Sequence, residues 1–145
     1  MPASFEGFFD LDELVQGKDG SVATFVARHG WEAFRLEEEK QLEKALRSPQ
    51  PLVLALGGGT LERGWPIIHK FDSVQVCHLQ VPFEACWQRL AYDEEDRPLA
   101  RDGRAVMAAL YEKRQKAYLA ANFSVDGTRP PGEVALAILQ RLRVA

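Results

Sequence analysis

Cysteine is scarce in this 145-residue chain: Cys77 and Cys86 are the two present, and their spacing fits neither a disulfide framework nor a zinc pattern. The three histidines, His29, His69 and His78, are scattered, so no structural metal is implied. No apolar run approaches the roughly 18 residues of a membrane span, and the N-terminus lacks the charged-then-apolar layout of a signal peptide. A soluble cytoplasmic protein with no membrane partner is the expectation. Basic excess is missing as well. The formal net charge is -3, which argues against nucleic-acid binding, since that needs a basic face. An anionic ligand would have to be held by a few placed arginines. What the chain does have is apolar content. At 46% hydrophobic, it suits one globular domain, 1–145, that buries a core without disulfides or metals.

The most informative stretch is Leu52-Val53-Leu54-Ala55-Leu56-Gly57-Gly58-Gly59-Thr60. An unbroken apolar run suits a strand covered on both faces, the usual state in a parallel sheet. The glycines that follow let main chain approach a ligand, in the place where open α/β sheets bind ligands, outside the carboxyl ends of the strands. A tight strand-to-helix turn with no ligand is the bland alternative.

Around this stretch, short apolar strands alternate with helical patterns, the signature of βαβ units and a mainly parallel sheet flanked by helices in three layers. Residues 5–9 read as a strand running into Asp10-Leu11-Asp12, where period 2 sends both carboxylates to one side, placed to share a metal and a substrate hydroxyl. The competing reading is a helix N-cap at Asp10 or Asp12. Ser21 can cap a helix over 22–29, with Gly30 as its stop. The next helix, about 31–47, carries Trp31, Phe34, Leu42 and Leu46 at core spacing. Arg35 lies beside that stripe with Glu38 and Glu39 one turn on. It is either a surface ion pair or an arginine at the edge of an aromatic pocket, steadied by a carboxylate and offered to a carboxylate ligand. Further strands are expected over 74–81 and 123–125, and helices over 61–70, interrupted at Pro66, then 82–92, 104–121 and 131–142. On the helix over 104–121, Met107, Leu110, Tyr111 and Tyr118 read as core. The acidic, aperiodic segment 93–103 reads as a lid.

The motifs FFDLDE, S-x-x-x-F, HGWEAFRLEEE, LALGGGT, RPL and LYEKRQKAY occur in this order, and the order resembles the shikimate kinase family from Phe8 to the C-terminus. That resemblance implies an α/β nucleotide-kinase-like fold that phosphorylates the 3-hydroxyl of shikimate using ATP and Mg2+. It implies that Asp12 holds the shikimate hydroxyls and orients or accepts the proton of the 3-hydroxyl, while Asp10 helps hold magnesium through water. Arg35 and Arg114 would clamp the shikimate carboxylate. Gly57, Gly58 and Gly59 would close against the ring, and Phe34 would form part of the pocket wall. Arg97, in the lid, would swing over the ATP phosphates, and Arg129 resembles the family's adenine-side arginine. Shikimate and ATP are the partners implied, with a monomer or weak homo-oligomer as the state.

The family pattern also begins with a strand, a G-x-x-x-x-G-K-[ST] loop and a helix ahead of the D-x-D strand. That loop does not occur in the 145 residues; Gly17-Lys18-Asp19 lacks the Ser or Thr after lysine and the earlier glycine. In the resembling fold the absent strand sits mid-sheet, between the strands at 52–56 and 74–81. Either these pair directly, another chain fills the gap, or the start lies upstream. Two functional readings follow: a shikimate kinase that is truncated or mis-started as written, or a non-catalytic relative that binds the acid as a sensor or regulatory domain.

Overall fold

The computed structural model describes residues 7–92 and 103–144. The expected lid therefore lies outside the described residues save for Gly103, and Arg97 lies outside them too. The chain runs β1 (Phe8–Asp10), α1 (Leu11–Gln16), a 3-10 turn (Gly17–Asp19), α2 (Val22–His29), α3 (Trp31–Leu46), β2 (Val53–Ala55), α4 (Thr60–Ile68), β3 (Cys77–Gln80), α5 (Phe83–Tyr92), α6 (Arg104–Tyr118), β4 (Phe123–Asp126) and α7 (Pro131–Val144). β1 pairs parallel with β2, from Phe8 opposite Val53 to Asp10 opposite Ala55. β3 pairs parallel with β4, from Cys77 opposite Phe123 to Gln80 opposite Asp126. Both connections contain helices, as parallel ladders require, so the chain is α/β with short parallel sheets and helices. Each pair forms its own two-stranded sheet, and among the described residues no ladder joins the strand at 53–55 to that at 77–80. By contacts the chain divides into two units, one running to Val74 and one starting at Gln75.

In the first unit, local chemistry sets the helix ends. The Ser21 side chain accepts the Thr24 N–H at 3.1 Å and caps α2. Gly30, at φ 88, donates its N–H to Val26 O and turns the chain into α3, a conformation that favours glycine. Phe34, Glu38 and Leu42, at i, i+4 and i+8, form the buried face of α3, at 3%, 2% and 1% exposure. Leu11 and Val15 of α1 and Leu61 and Ile68 of α4 complete this core.

Two expectations need correcting here. Asp10 ends β1 and caps α1, its Oδ1 accepting the Asp12 N–H at 2.9 Å. Asp12 is thus helical, and the period-2 argument for the pair does not apply: the capping carboxylate turns the chain before a strand could reach Asp12. Pro66 does not interrupt its helix either. α4 continues to Ile68, and His69 donates to Trp65 O at 2.9 Å across the proline.

In the second unit the core is Val76, Phe123 and Val125. The Asn122 side chain accepts the Val76 N–H at 2.7 Å, and Tyr111 donates its hydroxyl to Val81 O at 2.6 Å. Met107, Leu110, Tyr111 and Tyr118 are half-buried rather than sealed. Burial raises the pKa of the Cys77 and Cys86 thiols and lowers that of His78.

Candidate functional site

The turn from β2 into α4 is where the first unit brings its charged groups together. A Cβ at Gly57 would lie 3.0 Å from Asp12 Oδ1 and 3.5 Å from Thr60 Oγ1, so the missing side chain is what lets the Asp12 carboxylate rest against main chain. Positive φ values among the described residues belong to Gly17, Gly20, Gly30 and Gly103. Gly57 supplies space here, and the triplet makes no left-handed turn. Thr60 N donates to Gly57 O and Glu62 N to Gly59 O, each at 3.2 Å, and these i+3 bonds open α4.

Arg35 stands beside this turn's anchor on α3. Its guanidinium carbon lies 5.7 Å from the centre of the Trp31 ring and 5.4 Å from that of Phe34, within cation–π range. The two rings meet edge to face at 5.6 Å, and Phe25 packs on Phe34 at 6.0 Å. Arg35 Nη1 donates to Glu38 Oε1 at 2.9 Å, and the Thr60 hydroxyl donates to Glu38 Oε2 at 2.8 Å. A sealed carboxylate survives when paired and hydrogen-bonded. Glu38 has a partner on each oxygen. The guanidinium is a rigid fork of five donors, so a contact at one corner restricts the direction of the rest.

Of the residues expected at a site, Asp12, Phe34, Arg35, Gly57, Gly58 and Gly59 all belong to the first unit, together with Asp10. Phe34 is buried beneath Arg35 rather than open. Arg114 and Arg129 belong to the second unit. Arg114 is half-buried on α6. Arg129 is exposed, 3.4 Å from Glu133 and 3.6 Å from Asp126. The Thr128 hydroxyl and N–H hold the Asp126 carboxyl below its ordinary pKa. What the sequence reading missed is the link from Glu38 to Thr60. Its only signal was an acid placed midway between Phe34 and Leu42 on the core-facing stripe.

Comparison with known proteins bears on the family to which the chain belongs. The family model described as "Shikimate kinase" matches residues 5–143. A shikimate kinase of Lactococcus lactis subsp. cremoris is 32% identical over 143 residues, covering 96% of this chain and 86% of that protein. The crystal structure of shikimate kinase from Aquifex aeolicus superposes with a TM-score of 0.77 at 28% identity, covering 94% of this chain and 80% of that one. The shikimate kinase of Acinetobacter baumannii in complex with shikimate gives a TM-score of 0.82 at 25% identity, covering 94% and 78%. This chain belongs to the shikimate kinase family.

Proposed function

We propose that this chain serves shikimate kinase chemistry, the transfer of a phosphoryl group from ATP to the 3-hydroxyl of shikimate, and supplies the shikimate side of that reaction. The observation that carries the reading is Arg35, held by the buried Glu38 over Trp31 and Phe34 in the same unit where Asp12 lies against Gly57. A small polyol acid needs both elements: a cation for its carboxylate and an acid at its nucleophilic hydroxyl.

In this reading Arg35 binds the shikimate carboxylate, and the backbone at 57–59 closes against the ring. Asp12 orients the 3-hydroxyl and takes its proton. The hydroxyl oxygen bonds to the γ-phosphorus as the bond to the bridging oxygen breaks, and ADP leaves. The family resemblance, and not the structure, assigns Arg114 to the shikimate carboxylate, Arg97 to the ATP phosphates and Arg129 to the adenine side. Mg2+ bound with ATP would supply positive charge to the phosphates, with Asp10 holding it through water. Among the described residues no cluster of three or more metal-ligating side chains exists. Asp10, with Oδ1 committed to a backbone N–H, fits a contact through water better than direct ligation. Among the described residues no helix is long and apolar enough to cross a membrane. The chain acts in the cytoplasm, as one catalytic domain in a monomer or weak homo-oligomer.

The test is calorimetric titration of the 145-residue chain with shikimate, beside Arg35→Ala. Losing a charge-assisted contact to the carboxylate is expected to weaken binding by at least tenfold. Equal affinity in the two proteins would overturn the reading.

A further inference from the structure

Glu38 has a second partner that the carboxylate clamp does not account for. Its Oε2 takes the hydroxyl of Thr60, and Thr60 is itself only 2% exposed. The same residue closes the glycine turn, its N–H donating to Gly57 O at 3.2 Å. Its Oγ1 lies 3.5 Å from where a Gly57 side chain would begin, beside Asp12. One side chain therefore joins two regions 22 residues apart in sequence: the arginine on its aromatic shelf and the turn against which Asp12 rests.

We propose that Thr60 is a positioning residue for substrate binding, setting the Arg35 guanidinium relative to the 57–59 turn through the shared carboxylate of Glu38. The inference rests on the shikimate-kinase reading and adds to it a residue that touches no substrate. The physical reason is the scarcity of alternatives for Glu38. Without the Thr60 hydroxyl, Oε2 stays buried and unsatisfied. The carboxylate then has to turn toward Arg35 or draw in water, and either response moves the guanidinium. Arg63 keeps the two helices in register, bonding Glu32 at 3.1 and 3.2 Å and Glu39 at 2.6 Å. The response then falls first on the Glu38–Arg35 pair, the groups in direct contact with the freed oxygen.

Thr60→Val keeps the shape of the side chain and removes its donor; Thr60→Ser keeps the donor. On the full 145-residue chain, Thr60→Val is expected to weaken shikimate binding about tenfold, with Thr60→Ser restoring affinity to within about threefold. In an Arg35→Ala background, Thr60→Val should add little further loss, because its effect passes through Arg35. A full, additive loss in that background would reduce Thr60 to a packing residue. A second readout needs no ligand: the side-chain Nε–H signal of Arg35 in NMR, whose exchange and rotation should speed up in Thr60→Val and not in Thr60→Ser. Should shikimate fail to bind the unmodified chain, the functional reading falls while this readout still decides the coupling. An Arg35 signal unchanged in Thr60→Val would sink the inference. If Thr60→Val does not fold, Thr60→Ala, which leaves room for a water at Oε2, serves in both measurements.

Discussion

Asp10 and Asp12 sit two positions apart and do different things. Asp10 spends one oxygen on the N-cap of α1, whereas the Asp12 carboxylate lies against the Gly57 backbone. Substitutions should therefore separate them. Asp10→Ala is expected to lower folding stability by about 1 kcal/mol, the usual cost of losing such a cap, measured by urea denaturation. Asp12→Asn keeps the side chain's size and removes its basicity. In any ATP-competent form it should lower turnover at least about 100-fold, in the range of a lost general base, with a melting temperature within a few degrees of the parent. Parental turnover in Asp12→Asn would leave Asp12 without a chemical role. The sequence named both acids but left their setting open, since strand period and helix cap predict the same residue types at that boundary. Only the turn made by Asp10 decides between them.

At the scale of elements, what was legible is what is local. Ser21 and Gly30 bracket α2 because a cap and a positive-φ glycine act within a few residues. The continuation of α4 past Pro66 and the bond from Thr60 to Glu38 depend instead on how α4 packs on α3. Gly64 shows the closeness of that packing: a Cβ there would lie 3.1 Å from Leu42 Cδ2. No spacing rule within either segment reports such a contact. The glycine turn allows a sharper test. Gly57→Ala would bring its Cβ to 3.0 Å from Asp12 Oδ1, closer than such contacts normally run, and the movable partner is the carboxylate. Turnover is expected to fall about tenfold or more, the scale of a misplaced catalytic group, while the denaturation midpoint changes little. If Gly57→Ala lost stability and kept full activity, the turn would be structural alone.

For the molecule as a whole, the parallel pairing and the order of helices and strands were readable because apolar runs and their punctuation are sequence properties. Which strands become neighbours followed from the family resemblance and not from any strand's own residues, because pairing is decided by what lies beside each strand. Among the described residues both sheets have two strands, and apolar side chains on them stay exposed: Phe8 is 58% exposed, Val53 60% and Leu79 50%. The groups proposed for the acid substrate and those proposed for the nucleotide also divide unevenly. Asp12, Arg35 and the glycine turn lie together in the first unit. The sequence G-x-x-x-x-G-K-[ST], which aims backbone N–H groups, a lysine and a metal-binding hydroxyl at the β and γ phosphates, is absent from the 145 residues. An arginine such as Arg97 adds charge to a phosphate cradle and does not build one. The expectation is that the 145-residue chain binds shikimate yet forms ADP at no more than about one-hundredth the rate of a version extended upstream to include such a loop, consistent with the weight of preorganised phosphate contacts in catalysis. A coupled assay of shikimate-dependent ADP formation on the two proteins, with the product identified by mass, decides it. Equal and robust turnover by both would assign the cradle to the 57–60 turn or to a second copy of the chain. Shikimate binding without turnover in either would instead favour a ligand-binding role that keeps the acid site and has lost the transfer.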